Sequence, residues 1–209
     1  MEDQNLSGFA RFIFELGQLK RTPRSGWQKL GLKNPESVAD HSFRTGAIGF
    51  LLGKLEGEDP YKVAGYCLFH DIAETRTLDL DWLAQKYLEK GDYLSSDVVA
   101  DQTEDLPVEL KSAIDELFDN SNKSEKFEQV ARDADLLDLL FQAVEIAHRG
   151  NPLALKWFNN TLTYLETDSG KQIGDFLNRK EREGDLEDLI GWWEKADPSQ
   201  AEDNRTDYQ

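Results

Sequence analysis

Residues 125–148 of this 209-residue chain have the sequence EKFEQVARDADLLDLLFQAVEIAH. Apolar side chains recur in it at three- and four-residue steps, which places them on one face of a helix. These apolar residues are Phe127, Val130, Ala134, Leu137, Phe141, Val144 and Ile146. A turn at 120–124 precedes the stretch and Gly150 and Pro152 follow it, so the pattern predicts a helix over about 125–148.

The same helical spacing extends to both sides of this stretch. Ser37, with Asp40 three residues later, is typical of a helix start, and that helix is expected to run to about Leu55. A first helix is predicted from the spacing of Phe9, Phe12, Ile13, Leu16 and Leu19. Further helices are predicted at about 61–74, 80–90, 107–120, 153–166, 170–180 and 186–193, whereas 91–105 is acidic and weakly patterned.

The expected fold is a single all-α domain, a bundle of about 7–9 helices, because the chain has no repeat and no convincing strand pattern. We expect this domain to span 1–195, with its core at about 9–150 and its C-terminal helices within 153–195. Residues 196–209 are expected to form a disordered polar tail.

The composition excludes several classes of protein. The chain has 24 Lys and Arg against 41 Asp and Glu, a formal net charge of −17, which disfavours binding to a nucleic acid polymer. No apolar stretch approaches the roughly 20 residues that cross a bilayer, and the acidic N-terminus has no apolar signal segment. Cys67 is the single cysteine, so no internal disulfide is expected. These features predict a cytoplasmic protein without a membrane partner.

The charge is spread unevenly along the chain. Residues 1–60 hold 8 basic and 8 acidic side chains, so the net negative charge belongs to the rest of the chain. Between residues 11 and 33, six basic side chains accompany only Glu15; they are Arg11, Lys20, Arg21, Arg24, Lys29 and Lys33. Such a cationic loop can bind a small anion such as phosphate, although a solvated loop explains the charges equally well.

Histidine and aspartate recur at positions that suit a metal site. His41 follows Asp40 near a predicted helix start, and His70 precedes Asp71 at the end of the next helix. With Asp135 they offer two imidazoles and two carboxylates, a mixed set that suits Mn, Fe, Co, Ni or Zn. One histidine taken alone is more often a hydrogen-bonded core residue than a ligand.

The full pattern resembles a known family. ESVADHS at 36–42, HDIAE at 70–74 and RDADLL at 132–137 are similar to the H…HD…D signature of the HD-domain metal-dependent phosphohydrolases. The resemblance covers about residues 9–150 and is closest to the branch that includes the 5′-deoxynucleotidases. In that branch a loop like LKRTPRSGW, here 19–27, precedes the first histidine.

The resemblance implies a role for each matching residue. The ligands of one divalent metal ion would be His41, His70, Asp71 and Asp135. For the last of these, Asp133 is a competitor and Asp138 a more remote candidate, and a surface carboxylate is the alternative to any ligand role.

The resemblance also assigns the remaining site residues. Glu74, one helical turn after Asp71, would manage a proton as general acid or base, and Asp79 would lie near the sugar or leaving oxygen. Family members usually have Gly before that Asp, where this chain has Leu78.

The resemblance further places Arg24 on the phosphate, with Arg21 as the fallback, and Trp27 on the sugar or base; the alternative for Trp27 is packing in the core. His148 matches no family role and is interpreted as structural.

The expected function is removal of the 5′-phosphate from deoxyribonucleoside 5′-monophosphates by water activated on the metal. One alternative is an HD phosphohydrolase acting on another nucleotide, a nucleoside triphosphate or a (p)ppGpp-like molecule. Another is a non-catalytic metal-binding helical module. A homodimer is expected from the resemblance, with Trp192 and Trp193 either at the dimer contact or packed on their own domain.

Overall fold

A computed structural model of the chain describes residues 3–87 and 95–191. Within these residues the chain is helical and has no strand, only an isolated bridge between Pro23 and Ser37. The helices are α1 Asp3–Leu16, α2 Ser25–Gln28, α3 Val38–Glu56, α4 Pro60–Phe69, α5 Glu74–Thr77, α6 Trp82–Gln85, α7 Ser95–Gln102, α8 Val108–Phe118, α9 Glu125–His148, α10 Ala154–Leu162, α11 Asp168–Glu183 and α12 Glu187–Ile190. The predicted all-α fold is confirmed.

Helix α9 lies at the centre of the bundle. Its inward positions Val130, Ala134, Leu137 and Leu140 are fully buried. Helices α3, α4, α10 and α11 pack against it. Because α3, α4 and α9 all contact one another, polar side chains from these helices can meet at one place.

A close approach of α3 and α4 brings the first and second motifs together. A methyl group at Gly49 would lie 2.9 Å from Cys67 Sγ, and one at Gly53 would lie 3.0 Å from the Cα atom of Pro60. Larger side chains at these two positions would push the helices apart. The glycines therefore help to set the distance between His41 on α3 and His70 at the end of α4.

The start of α3 is fixed by local hydrogen bonds. Ser37 is its N-cap and forms a capping box with Asp40, as the sequence predicts. The backbone N–H of Val38 also donates to the Thr22 carbonyl, and that of Arg24 donates to the Glu36 carbonyl. These bonds join the cationic loop to the helix that carries His41.

The structure differs from the sequence-based expectation in a few elements. Helix α7 lies in the weakly patterned stretch, and α4 ends at Phe69 rather than near 74. His148 is exposed at the C-terminus of α9, where a basic residue is favourable. Trp192, Trp193 and the predicted tail at 196–209 lie outside the described residues, as does the end of the helix predicted at 80–90. No helix in the described ranges combines the length and apolarity needed to cross a membrane.

Candidate metal centre and active site

Two histidines face each other between α3 and the end of α4. The side chain of His41 is 1% exposed, and its ring centroid lies 5.4 Å from that of His70. The Nε2 atom of His41 is 3.1 Å from Asp135 Oδ1 and 3.7 Å from Asp71 Oδ2. The Nε2 atom of His70 is 3.2 Å from the same Asp71 oxygen. The structure therefore brings together the four residues that the sequence suggests as ligands.

The donor set fits a divalent metal ion. His41, His70 and Asp71 each offer one ligand atom, and these atoms lie within 4.8 Å of one another. On the far side of each ring, Nδ1 lies 2.6 Å from the Asp138 carboxylate for His41 and 2.6 Å from the Cys67 carbonyl for His70. Bonds of this kind orient metal-binding histidines and leave Nε2 for the metal.

The three aspartates on α9 do different work. Asp135 lies beside His41 Nε2 with its side chain 42% exposed, whereas Asp138 is fully buried at Nδ1 on the other side of the His41 ring. Asp133 is buried on another face of the helix, where it accepts hydrogen bonds from the backbone N–H groups of Glu166 and Thr167. Its carboxylate therefore anchors the start of α11, and Asp135 is the one whose carboxylate lies beside His41 Nε2.

Two carboxylates lie against the buried imidazole of His41. Burial lowers the pKa of His41, but its hydrogen bonds with Asp135 and Asp138 outweigh that effect and raise the pKa to about 9. Burial raises the pKa of Asp135, but His41 more than offsets it and the pKa lies below its usual range. Metal binding requires the neutral imidazole, so a divalent ion bound here would take the place of the proton on His41.

A cavity of about 300 Å³ opens beside this cluster. Glu74, at the start of α5, lines it, and the Glu74 Oε2 atom is buried without a hydrogen-bond partner in the described part of the chain. Burial raises the pKa of Glu74, and the nearby charges of Asp71 and Asp79 add to the effect. A carboxyl group in this state can accept or release a proton near neutral pH.

The cationic loop contributes Arg24 to the cavity. Its Nη1 atom lies 3.4 Å from Asp71 Oδ2 and 3.7 Å from Asp79 Oδ1, so it is the guanidinium next to the cluster. Arg21 is exposed and donates to Gln18 instead. The carboxylate of Asp79 accepts a hydrogen bond of 2.7 Å from the Ser25 backbone N–H, which ties the loop to the segment after α5.

Trp27 lines the same cavity but is largely packed into the core. It is 3% exposed, its indole stacks on Trp157 with ring centroids 5.1 Å apart, and its Nε1–H donates to Glu36 over 2.8 Å. Trp27 therefore both packs in the core and lines the cavity. Only part of the indole is available to a ligand.

The backbone before Asp79 is strained. Leu78 has φ 63° and ψ 165°, the one positive φ among the non-glycine residues that the structure describes. This region is open essentially to glycine alone. Leu78 nevertheless delivers Asp79 to Arg24 and Ser25, so the departure from the family's glycine is accommodated as strain.

Several site residues were not identified from the sequence. Trp82 and Trp157 line the cavity but come from α6 and α10, and no pattern near the motifs points to them. Arg44 is bonded to Asp138, which orients His41. Its position one turn after His41 on a helix is the signal that could have identified it.

The helical bundle with a histidine–aspartate cluster between its helices is the arrangement of an HD-domain protein. A family model described as HD domain matches residues 16–172, and the chain belongs to this family.

Among individual proteins, the chain is 28% identical over 140 residues to the 5′-deoxynucleotidase HDDC2 of Mus musculus. The matched segment covers 66% of this chain and 70% of the mouse protein. It is 27% identical over 179 residues to the 5′-deoxynucleotidase hdd1 of Schizosaccharomyces pombe, covering 74% and 89%. A conserved hypothetical protein from Pyrococcus furiosus has a similar structure, with 32% identity, a TM-score of 0.62, and coverage of 80% and 98%.

Proposed function

We propose that this protein is a metal-dependent 5′-deoxynucleotidase, a hydrolase that releases phosphate from deoxyribonucleoside 5′-monophosphates. The observation that carries the proposal is the meeting of His41, His70, Asp71 and Asp135 beside a cavity that also contains Arg24 and Glu74. The names of the mouse and yeast relatives support the same activity.

In this proposal the four ligands hold one divalent ion, of Mn, Co, Ni, Fe or Zn. When bound, such an ion polarises a phosphate and lowers the pKa of water. Arg24 binds the phosphate oxygens and offsets their charge, which its position beside Asp71 allows.

The proton of the attacking water passes to Glu74, which lines the cavity and has one buried oxygen without a hydrogen-bond partner among the described residues. As the water oxygen bonds to phosphorus, the bond from phosphorus to the 5′-oxygen breaks. The 5′-oxygen takes up the proton that Glu74 removed from the water, relayed by Asp79, and leaves as the nucleoside hydroxyl.

Selection for deoxyribose is assigned to Trp27. Its indole is held rigidly between Trp157 and Glu36, and a methyl group at neighbouring Gly26 would lie 2.7 Å from the Trp157 ring. A fixed indole face leaves less room for a 2′-hydroxyl group than for a hydrogen atom, so a ribonucleotide should bind there less well than a deoxyribonucleotide.

We also propose that the chain is one domain and a cytoplasmic homodimer. Support for the dimer comes from four exposed apolar side chains on α3, Phe43, Phe50, Leu51 and Leu55. Exposed apolar side chains grouped on one helix suit a symmetric contact between two copies of the chain. The molar mass in solution, measured by light scattering, tests the dimer: the unchanged chain should be a dimer and Leu51→Glu a monomer. A monomeric mass for the unchanged chain would contradict the dimer.

The activity is tested by phosphate release from paired deoxy- and ribonucleotides at the mono- and triphosphate level. The protein is stripped of metal and resupplied with Mn, Co, Ni or Zn, and Asp71→Ala is the control. We expect release from deoxyribonucleoside monophosphates that requires metal and is lost in Asp71→Ala. Release from triphosphates or a (p)ppGpp-like nucleotide alone would move the assignment to that substrate. Metal binding with no hydrolysis of any nucleotide would support a non-catalytic module.

A further inference from the structure

Arg44 lies one helical turn after His41 on α3 and contacts three side chains of α9. Its Nε atom is bonded to Asp138, Nη1 donates to Glu145 over 2.8 Å, and Nη2 donates to Gln142 over 2.6 Å. It has no place among the ligands or the residues that face the substrate. Its guanidinium therefore serves a purpose other than contact with the reacting groups.

One branch of these contacts leads to the metal ligands. Asp138 is fully buried, and its two oxygens bond to Arg44 and to His41 Nδ1. Burying a carboxylate without a cation beside it destabilises the fold. Arg44, which stays protonated at every ordinary pH, is bonded to Asp138. With Arg44 in place, Asp138 can hold the His41 ring so that Nε2 points toward Asp71 and Asp135.

The other branch leads to the substrate end of the cavity. The Nη2 atom of Arg44 lies 3.8 Å from Glu36 Oε2, and Glu36 Oε1 accepts the Trp27 Nε1–H. Glu36 is mostly buried between the two. The guanidinium thus lies within reach of the carboxylate that fixes the indole.

We infer that Arg44 is a positioning residue that couples the two ends of the site. Through Asp138 it orients His41 toward the metal, and through Glu36 it orients Trp27 toward the sugar. The part concerning sugar selection rests on the proposed function, whereas the part concerning metal affinity does not.

A planar guanidinium is required for this arrangement. It presents donors in several directions at once, and here they reach Asp138, Gln142 and Glu145. A lysine ammonium at the same position can reach one or two of these groups. Arg44→Lys should therefore keep the fold and the charge while it loosens His41 and Trp27.

The test compares Arg44→Lys and Arg44→Met with the unchanged chain, and Arg132→Met serves as the control. Arg132 lies on α9 and pairs with Glu166 at the surface, so its loss removes an ion pair without touching Asp138 or Glu36. The dissociation constant for Co²⁺ or Mn²⁺ is measured by calorimetry on the metal-stripped full-length chain. The Trp27 indole N–H signal, assigned with Trp27→Phe, is followed by NMR in the same samples.

We expect the metal dissociation constant to rise about 10–100-fold in Arg44→Met, the usual effect of losing a group that orients a ligand. Arg44→Lys should fall between this value and the original, and Arg132→Met should match the original. The Trp27 signal should move in both Arg44 variants, and the preference for deoxyribonucleotides over ribonucleotides should decrease.

An unchanged metal affinity in the folded Arg44 variants would overturn the inference, and so would an unmoved Trp27 signal. If Arg44→Met does not fold, Arg44→Lys decides. The metal affinity and the Trp27 signal are measured without substrate, so these two readouts test the role of Arg44 even if the protein hydrolyses some other molecule.

Discussion

At the scale of single residues, Glu74 combines burial with an unsatisfied oxygen at the edge of the metal centre. Such a group is costly to the fold, and catalytic sites are one place where it occurs. We expect Glu74→Gln to lower kcat by about 10²–10⁴-fold, because the amide cannot accept the proton. The dissociation constant of the metal should remain within a few-fold of the original. A fully active Glu74→Gln protein would remove Glu74 from the mechanism.

Asp133 and Asp135 are two residues apart and have different surroundings. Substituting each in turn distinguishes a structural role from a metal-binding role. Asp135→Asn should abolish or greatly weaken metal binding while the metal-free chain stays folded. Asp133→Asn should keep the metal and lose about 1–3 kcal/mol of stability, because the amide cannot accept the hydrogen bonds from Glu166 and Thr167 as a carboxylate does. Calorimetric metal titration and urea unfolding measure the two effects. The reverse pattern would make Asp133 the ligand.

Leu78 offers a test of backbone strain. Its side chain is 56% exposed, so removing it sacrifices little burial, while glycine relieves the positive φ. Leu78→Gly should raise the free energy of unfolding by about 1 kcal/mol. Leu110→Gly, in the ordinary helix α8, should lower it by a similar amount and is the matched control. A loss of stability in both variants would show that Leu78 is not strained.

At the scale of helices, the N-terminus of α11 is held by an acidic side chain from the end of α3. Glu56 pairs with Lys126 and accepts a hydrogen bond of 2.7 Å from the Ser169 backbone N–H. These two partners lower the pKa of Glu56 to about 2. The carboxylate also meets the positive end of the α11 dipole.

This contact predicts a pH-dependent effect on stability. The pKa of Glu56 is lowered on folding, so its contribution is complete above the ordinary value near 4.5 and is lost as the pH falls toward 2. Glu56→Gln should therefore cost about 1 kcal/mol at pH 7 and almost nothing near pH 2. Urea unfolding across this range measures it, with exposed Glu104→Gln as the control. A cost that is the same at both pH values would contradict the assignment.

The helices show where sequence patterns suffice and where they do not. Helices α3 and α9 begin at Ser37 and Ser124, N-caps that the local sequence signals, and both were predictable. Helix α7 has few apolar residues and is held by contacts from afar, such as the bond from Gln102 to the Ile72 carbonyl. Tertiary contacts of this kind decide the conformation of a segment whose own pattern is weak.

At the scale of the whole molecule, the site joins segments that are remote in sequence. The metal-ligand motifs could be recognised because each keeps a fixed local spacing. Trp82 and Trp157 could not be placed in the same way, since they meet the motifs only after α6 and α10 have packed. The burial of Trp27 likewise depends on Trp157, which lies far away in the chain.

The central claim is that one metal ion held by His41, His70, Asp71 and Asp135 is required for phosphate release from a deoxyribonucleoside 5′-monophosphate. The most direct measurement titrates metal-stripped protein with Co²⁺ or Mn²⁺ and records bound metal and phosphate release in the same samples. The account predicts that activity starts from zero, rises with bound metal and reaches its maximum at one ion per chain. Full activity in the stripped protein, or none with one ion bound, would contradict it.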